Sequence, residues 1–286
     1  MRGMKTTRPF AHSLSVLLAM LVLVVATSAH AAPAADLWKR WVPDGKAADV
    51  AVDHSVWDGF LTRFVAPGGD GINRVDYGRV GLSDRQLLVN YIASLTAHRP
   101  SRMSPGEAKA YWINLYNALT VRTVLQHYPV DSIRDIDISP GLFSNGPWGA
   151  QLVEIEGVPV SLDDIEHRIL RPIWQDPLIH YALNCAAVGC PQLRAEAFVP
   201  DRLTEQLIDS AKSFVNHPRA VMLADGALSV SSIYEWFMVD FGITDKDVID
   251  HIRQFADPAL DNRLKQHNRI DDDFYDWTLN DLSLTR

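Results

Sequence analysis

The chain has 286 residues, 47% of them apolar, with 35 acidic against 27 basic side chains and a net charge of −8. That balance, with no basic run interleaved with aromatics, argues against nucleic acid and anionic membrane surfaces as partners, since both select Lys/Arg patches. The apolar fraction allows a sizeable core without metal or many disulfides, in one large domain or two small ones.

Arg2, Lys5 and Arg8 precede an apolar run from Leu14 to Val25, and Ala29-His30-Ala31 follows. This is the pattern of a cleaved export signal over 1–31, too short in its apolar part to anchor a membrane. A periplasmic or secreted protein is expected, with no membrane span once the leader is removed. Removal takes three positive charges and no acid, moving the net charge from −8 to −11.

Residues 32–81 read as docking helices and a loop. Leu37-Trp38 and Trp41-Val42 suit a short helix, and Asp53 to Phe64 is helical with Val56, Phe60 and Phe64 on one face. Pro67 to Asp70 and Gly71 form a loop, and Arg74 to Tyr77 is extended. The domain proper, 82–286, begins with an amphipathic helix from Leu82 to Leu95, capped by Ser83, with Leu87, Leu88, Tyr91, Ile92 and Leu95 inward. Ser104, Pro105 and Glu107 are a helix start, and the helix runs to about Tyr128 before Pro129. Its stripe of Ala110, Ile113, Asn114, Asn117, Val121 and Val124 places two amides side by side on an apolar face. Buried amides cost about 1–3 kcal/mol each if unpaired, so they fasten a neighbouring loop or line a site.

Gln151 to Val160 turns at Glu156-Gly157 as a hairpin. Ser161 opens a helix with Asp164 as the capping carboxylate, running to Pro172 and carrying Glu166 and His167. Leu178 to Leu183 reads as a buried strand entering His180 to Pro191, the segment that holds both cysteines. Leu203 to Val215 is an amphipathic helix, and Val221 to Val230 a second hairpin around Ala224-Asp225-Gly226. Ile233 to Phe241 and Asp247 to Phe255 are helices. Tyr234 to Phe237 and Trp277 read as core, with a sugar-stacking platform as the alternative, and Asp163 and the Asp271 to Asp273 run as caps and solvated turns. The fold class is α+β: one mainly helical domain with short antiparallel hairpins.

Three chemistries fit Cys185 and Cys190. In an oxidising compartment a disulfide comes first. A catalytic thiol needs a depressed pKa. Cys190 before Pro191 would sit at a helix N-cap, which favours it slightly over Cys185 as nucleophile. His180 and His167 are candidate bases, and Glu166, Asn114 or Asn117 the orienting groups. A zinc set of His167, His180, Cys185 and Cys190 is conceivable, although the spacing matches no common pattern. Two inert thiols remain the fourth reading. There is no Gly-rich phosphate loop, no His-Glu-x-x-His and no Gly-x-Ser-x-Gly, and no cofactor or resident metal is expected.

Several of these stretches resemble the domain of unknown function family 547: Ala108 to Thr120, Ser161 to His167, His180 to Pro191, and Tyr275 to Asn280, in order across Ser83 to Asn280. The resemblance implies the domain and no established activity. It points to Asn114, Asn117, Glu166, His167, His180, Cys185 and Cys190. The leading functional expectation is a thiol–imidazole enzyme for acyl or amide transfer on an envelope substrate. In it Cys190 or Cys185 is the nucleophile and His180, with His167 and Glu166, completes the machinery. Asn114, Asn117, Trp112 and Asn184 would then contact substrate. The alternative is a non-catalytic module binding an envelope partner protein, with a Cys185–Cys190 disulfide bracing its recognition loop. A zinc-dependent hydrolase is the third reading.

Overall fold

The computed structural model describes residues 34–46, 51–141 and 146–285, and the expected leader lies outside them. A single turn at Lys39–Trp41 is followed by α1 (Ser55–Phe64), β1 (Val65–Pro67), β2 (Asn73–Val75), α2 (Leu82–Thr96) and α3 (Pro105–His127). Then come β3 (Val153–Ile155), β4 (Val158–Val160), α4 (Arg171–Trp174) and α5 (Leu203–Val215). The remainder is β5 (Val221–Ala224), β6 (Ala227–Ser231), α6 (Ser232–Trp236), α7 (Met238–Phe241), α8 (Asp245–Arg253), α9 (Pro258–Leu264) and β7 (Asp272–Phe274). The protein is mainly helical α+β with short hairpins, as the periodicity predicts.

α3 organises the fold. The Ser104 side chain accepts from the Glu107 backbone N–H and Pro105 opens the helix, so three residues define the start without tertiary help. Its residues are buried on every side, including Trp112, Asn114 and Asn117. A helix apolar all round belongs inside a core. One apolar cluster surrounds it with Trp41, Trp57, Leu88 and Ile165, while a second gathers Phe214, Tyr234, Ile252 and Leu264. The segment leading to the cysteines supplies Ile179, Ala182 and Leu183 to the first and Tyr181 to the second.

Several expectations are corrected. Leu178 to Leu183 is no strand: Pro177–Tyr181 is a 3₁₀ helix, because Pro177 presets the first turn and Asp176 caps it through the Leu178 N–H. Its side chains then serve two cores at a spacing near three rather than alternating. No helix follows Cys190-Pro191, so the expected N-cap for that thiol does not form. Asp164–Leu170 is a π-helical segment that runs into α4, placing Pro172 inside the continuation. The predicted helix from Ile233 breaks at Phe237 into α6 and α7. Gly81, not Ser83, precedes α2. Val56 and Leu87 are 43% and 51% exposed, and Trp57 with Leu61 and Leu88 take the inward positions. Trp236, Phe237 and Trp277 are only partly buried, unlike Tyr234. The pattern misses α9 and β7, and β7 adds to the β5–β6 hairpin in parallel with Ser231 opposite Phe274.

Candidate functional site

The cysteine loop is held by amides. Asn117 donates through Nδ2 to the Ala182 carbonyl and accepts through Oδ1 from the Asn184 N–H, both at 2.9 Å. Asn114 does the same for Phe198, at 2.8 and 3.0 Å. These are loop fasteners, one of the two roles the stripe on α3 allows. Asn184 closes the loop from inside, donating to the Pro191 carbonyl at 2.8 Å and accepting from the Ala186 N–H at 3.1 Å. Asn280 donates to Asn184 Oδ1 at 3.0 Å and accepts from the Tyr77 hydroxyl at 2.8 Å.

Backbone pairing completes the hold. Val188 and Gly189 donate to Thr278 and Asp276, and Asn280 donates to Ala186. Gly189 is required by this approach, since a Cβ there would lie 2.7 Å from the Asp276 nitrogen. Ala186 sits at φ +62°, a strained region for an alanine, between its bonds to Asn184 and Asn280.

Within this frame the thiols are free and their sulfurs lie 2.9 Å apart, inside van der Waals contact but longer than a disulfide. The Cys185 N–H also donates to Cys190 Sγ at 2.9 Å, and Cys185 Sγ is 3.0 Å from the Tyr275 hydroxyl. Cys185 is the more exposed. Hydrogen bonding with Cys190 lowers the Cys185 pKa, outweighing burial, and Tyr275 helps. Burial raises that of Cys190, and its bond to Cys185 pushes the same way. On these directions Cys185 is the more acidic of the two thiols, while the sequence leans slightly to Cys190 as nucleophile. An aromatic ridge adjoins it: Tyr275 packs on Trp236 and Trp277 at 4.8 and 4.6 Å, and Trp277 on Trp148 at 5.8 Å.

His180 faces a different group. Its Nε2 is 2.7 Å from Asp240 Oδ2, which also accepts from Arg171 Nε at 2.6 Å. Phe237 stacks on the imidazole at 4.3 Å and carries the Arg171 cation at 4.7 Å, so the break between α6 and α7 delivers a ring to this cluster. Arg171 also contacts His167 Nδ1 at 3.1 Å. The Tyr116 hydroxyl donates to Glu166 Oε2 at 3.0 Å, while Glu166 Oε1 is 3.9 Å from His180 Nδ1.

Burial dominates the electrostatics here. It raises Glu166 to about 7 against the Arg171 charge, and lowers His167 to about 3 with help from Arg171. Burial also lowers His180, overriding the Asp240 hydrogen bond, so its imidazole is neutral. Asp240 is pushed upward by burial, but the bonds from His180 and Arg171 prevail and leave it at about 2.

Glu166, His167 and His180 thus come together, and so do Cys185 and Cys190, but the two groups are separate in bonding. No hydrogen bond joins either histidine to a sulfur among the described residues. His167, His180, Cys185 and Cys190 are not gathered as a zinc set, and among the described residues no three metal-ligating side chains are. Trp112 is fully buried, and the amides of Asn114, Asn117 and Asn184 are engaged with backbone. Sequence reasoning missed Asp240 and Arg171, and read Phe237 as core or part of a sugar-stacking platform rather than as the ring on His180. Arg171, four residues after His167 on one helical run, was the detectable member.

No curated protein and no solved structure matches the chain. Residues 100–215 match the model of the family described as a protein of unknown function, DUF547, the family the signature residues resemble, and that span holds both asparagines of α3, Glu166, His167, His180 and the two cysteines.

Proposed function

We propose that the protein is an exported thiol–disulfide exchange module in which Cys185 is the attacking thiol and Cys190 its resolving partner. The observation that carries this reading is the 2.9 Å contact between two free sulfurs, of which Cys185 is the less buried. Exchange needs a thiolate within reach of a second sulfur. Cys185 thiolate attacks one sulfur of a partner's disulfide, forming a mixed disulfide and releasing the partner's other sulfur as thiolate. Cys190 then gives its proton to the released partner thiolate and attacks Cys185 Sγ, releasing the second partner thiolate. The partner gains two electrons, and the Cys185–Cys190 pair loses them on forming its own bond.

The ridge of Trp148, Trp277, Tyr275 and Trp236 would take the apolar part of an envelope protein partner. A thiol–imidazole hydrolase has less support, because among the described residues no hydrogen bond joins His180 or His167 to either sulfur. The test is equilibration of the pure protein in glutathione redox buffers, followed by alkylation and mass measurement. The expected result is one two-electron couple, with Cys185 alkylated first and Cys185→Ser unable to reduce oxidised glutathione. A bond that stays closed through mild reductant would make the pair a static brace and refute exchange, as would thiols inert to oxidised glutathione.

A further inference from the structure

Arg219 lies in the turn between α5 and β5 and is 8% exposed. Its Nε and both terminal nitrogens are buried with no hydrogen-bond partner among the described residues. Arg102, Arg122 and Arg194 lack a buried partner only at Nε. The guanidinium rests over the Phe214 ring at 5.3 Å, a contact that does not neutralise it. A buried uncompensated cation is strongly unfavourable, so an anion is expected to form within its reach.

The sheet register indicates where. Val221 is opposite Val230, Ser231 donates to Ala220, and Ser231 is opposite Phe274. One residue further along, Arg219 and Tyr275 leave the same end of the sheet, two strand spacings or about 9.6 Å apart. The Tyr275 hydroxyl is the one at 3.0 Å from Cys185 Sγ. Asp70, the carboxylate whose charge acts on this guanidinium, is already held by Arg74 through bonds of 2.6 and 2.7 Å. The strongest favourable charge interaction open to the guanidinium is with Cys190, ahead of Asp70.

We propose that Arg219 is the counter-charge of the cysteine pair, a positioning residue uncompensated in the dithiol and compensated when the pair loses a proton. The inference rests on the thiol–disulfide reading. Burial lowers Arg219 only to about 10, so it is charged at neutral pH. The other ionisable groups acting on the sulfurs are Tyr275, Tyr116, Tyr77 and Glu166, the last opposing the thiolate. Those around the guanidinium are Asp70, Arg74 and His217.

The test is thiolate absorbance against pH for the full chain and for Arg219→Met, Arg219→Gln and Arg219→Lys. Loss of the cation is expected to move the thiolate titration of the pair up by about one unit, roughly tenfold less thiolate at a given pH. Lysine should restore most of it, and the Met dithiol should melt no lower than wild type. Equal titrations in wild type and Arg219→Met would overturn the inference, and so would failure of all three variants to fold. If wild type still exchanges with oxidised glutathione, the thiol–disulfide reading survives that result. If wild type itself forms no reactive thiolate, the reading beneath the inference falls.

Discussion

Replacing Asn117 by alanine tests the fastening of the cysteine loop. The substitution strands the Ala182 carbonyl and the Asn184 N–H, both buried and each bonded at 2.9 Å to this amide. A buried group left unpaired costs about 1–3 kcal/mol. For two such groups and a small void the expected loss is about 2–6 kcal/mol, a large part of the stability of an ordinary domain. Urea unfolding measures it, and iodoacetamide alkylation under native conditions reads out the loop, with Cys185 expected to react faster as the frame loosens. Asn114→Ala is the control: it strands two groups of Phe198 and should lower stability similarly while leaving alkylation unchanged. A loss for Asn117→Ala below about 1 kcal/mol with unaltered alkylation would refute the fastening argument.

Glu166→Gln should stabilise the protein increasingly with pH. The raised folded pKa means the native carboxyl keeps its proton between 4.5 and about 7, so wild-type stability falls through that window. The variant's advantage should be small at pH 5 and reach about 3 kcal/mol by pH 9, read from urea midpoints; a pH-independent difference would count against it. Asp240→Asn should flatten acid denaturation. Its depressed folded pKa contributes stability present above 3.8 and lost as pH falls through about 2. An unchanged acid transition would show that His180 and Arg171 do not hold that charge. Gly189→Ala drives a Cβ to 2.7 Å from the Asp276 nitrogen and should prise the cysteine loop from the 276–280 segment. Faster hydrogen exchange at Val188 and Gly189 checks it, and full protection would contradict it.

The parts of the fold legible in the sequence were those set locally. The start of α3 follows from Ser104, Pro105 and Glu107, and the hairpins from Glu156-Gly157 and Asp225-Gly226, all within a few residues. Leu203 to Val215 was readable because one face alone is buried. Where two cores meet, periodicity failed: Pro177 to Leu183 divides its side chains between them and imitates a strand. β7 is short and mostly polar, and only its partner β6 makes it a strand. The site divides in the same way. The signature residues lay in view, but the partner that occupies His180 is 60 positions away on the fragment after Phe237. Tyr275 is 90 positions from the thiol it touches. Distances of that kind leave no trace in local spacing.

The pairing of residues 186–189 with 276–280 also bears on synthesis. A chain made from its N-terminus presents both thiols long before Asp276 and Asn280 emerge to fix the loop. During that interval Cys185 and Cys190 sit in an unfastened segment, open to adventitious pairing with other thiols. That interval ends when residues beyond 275 dock against the loop.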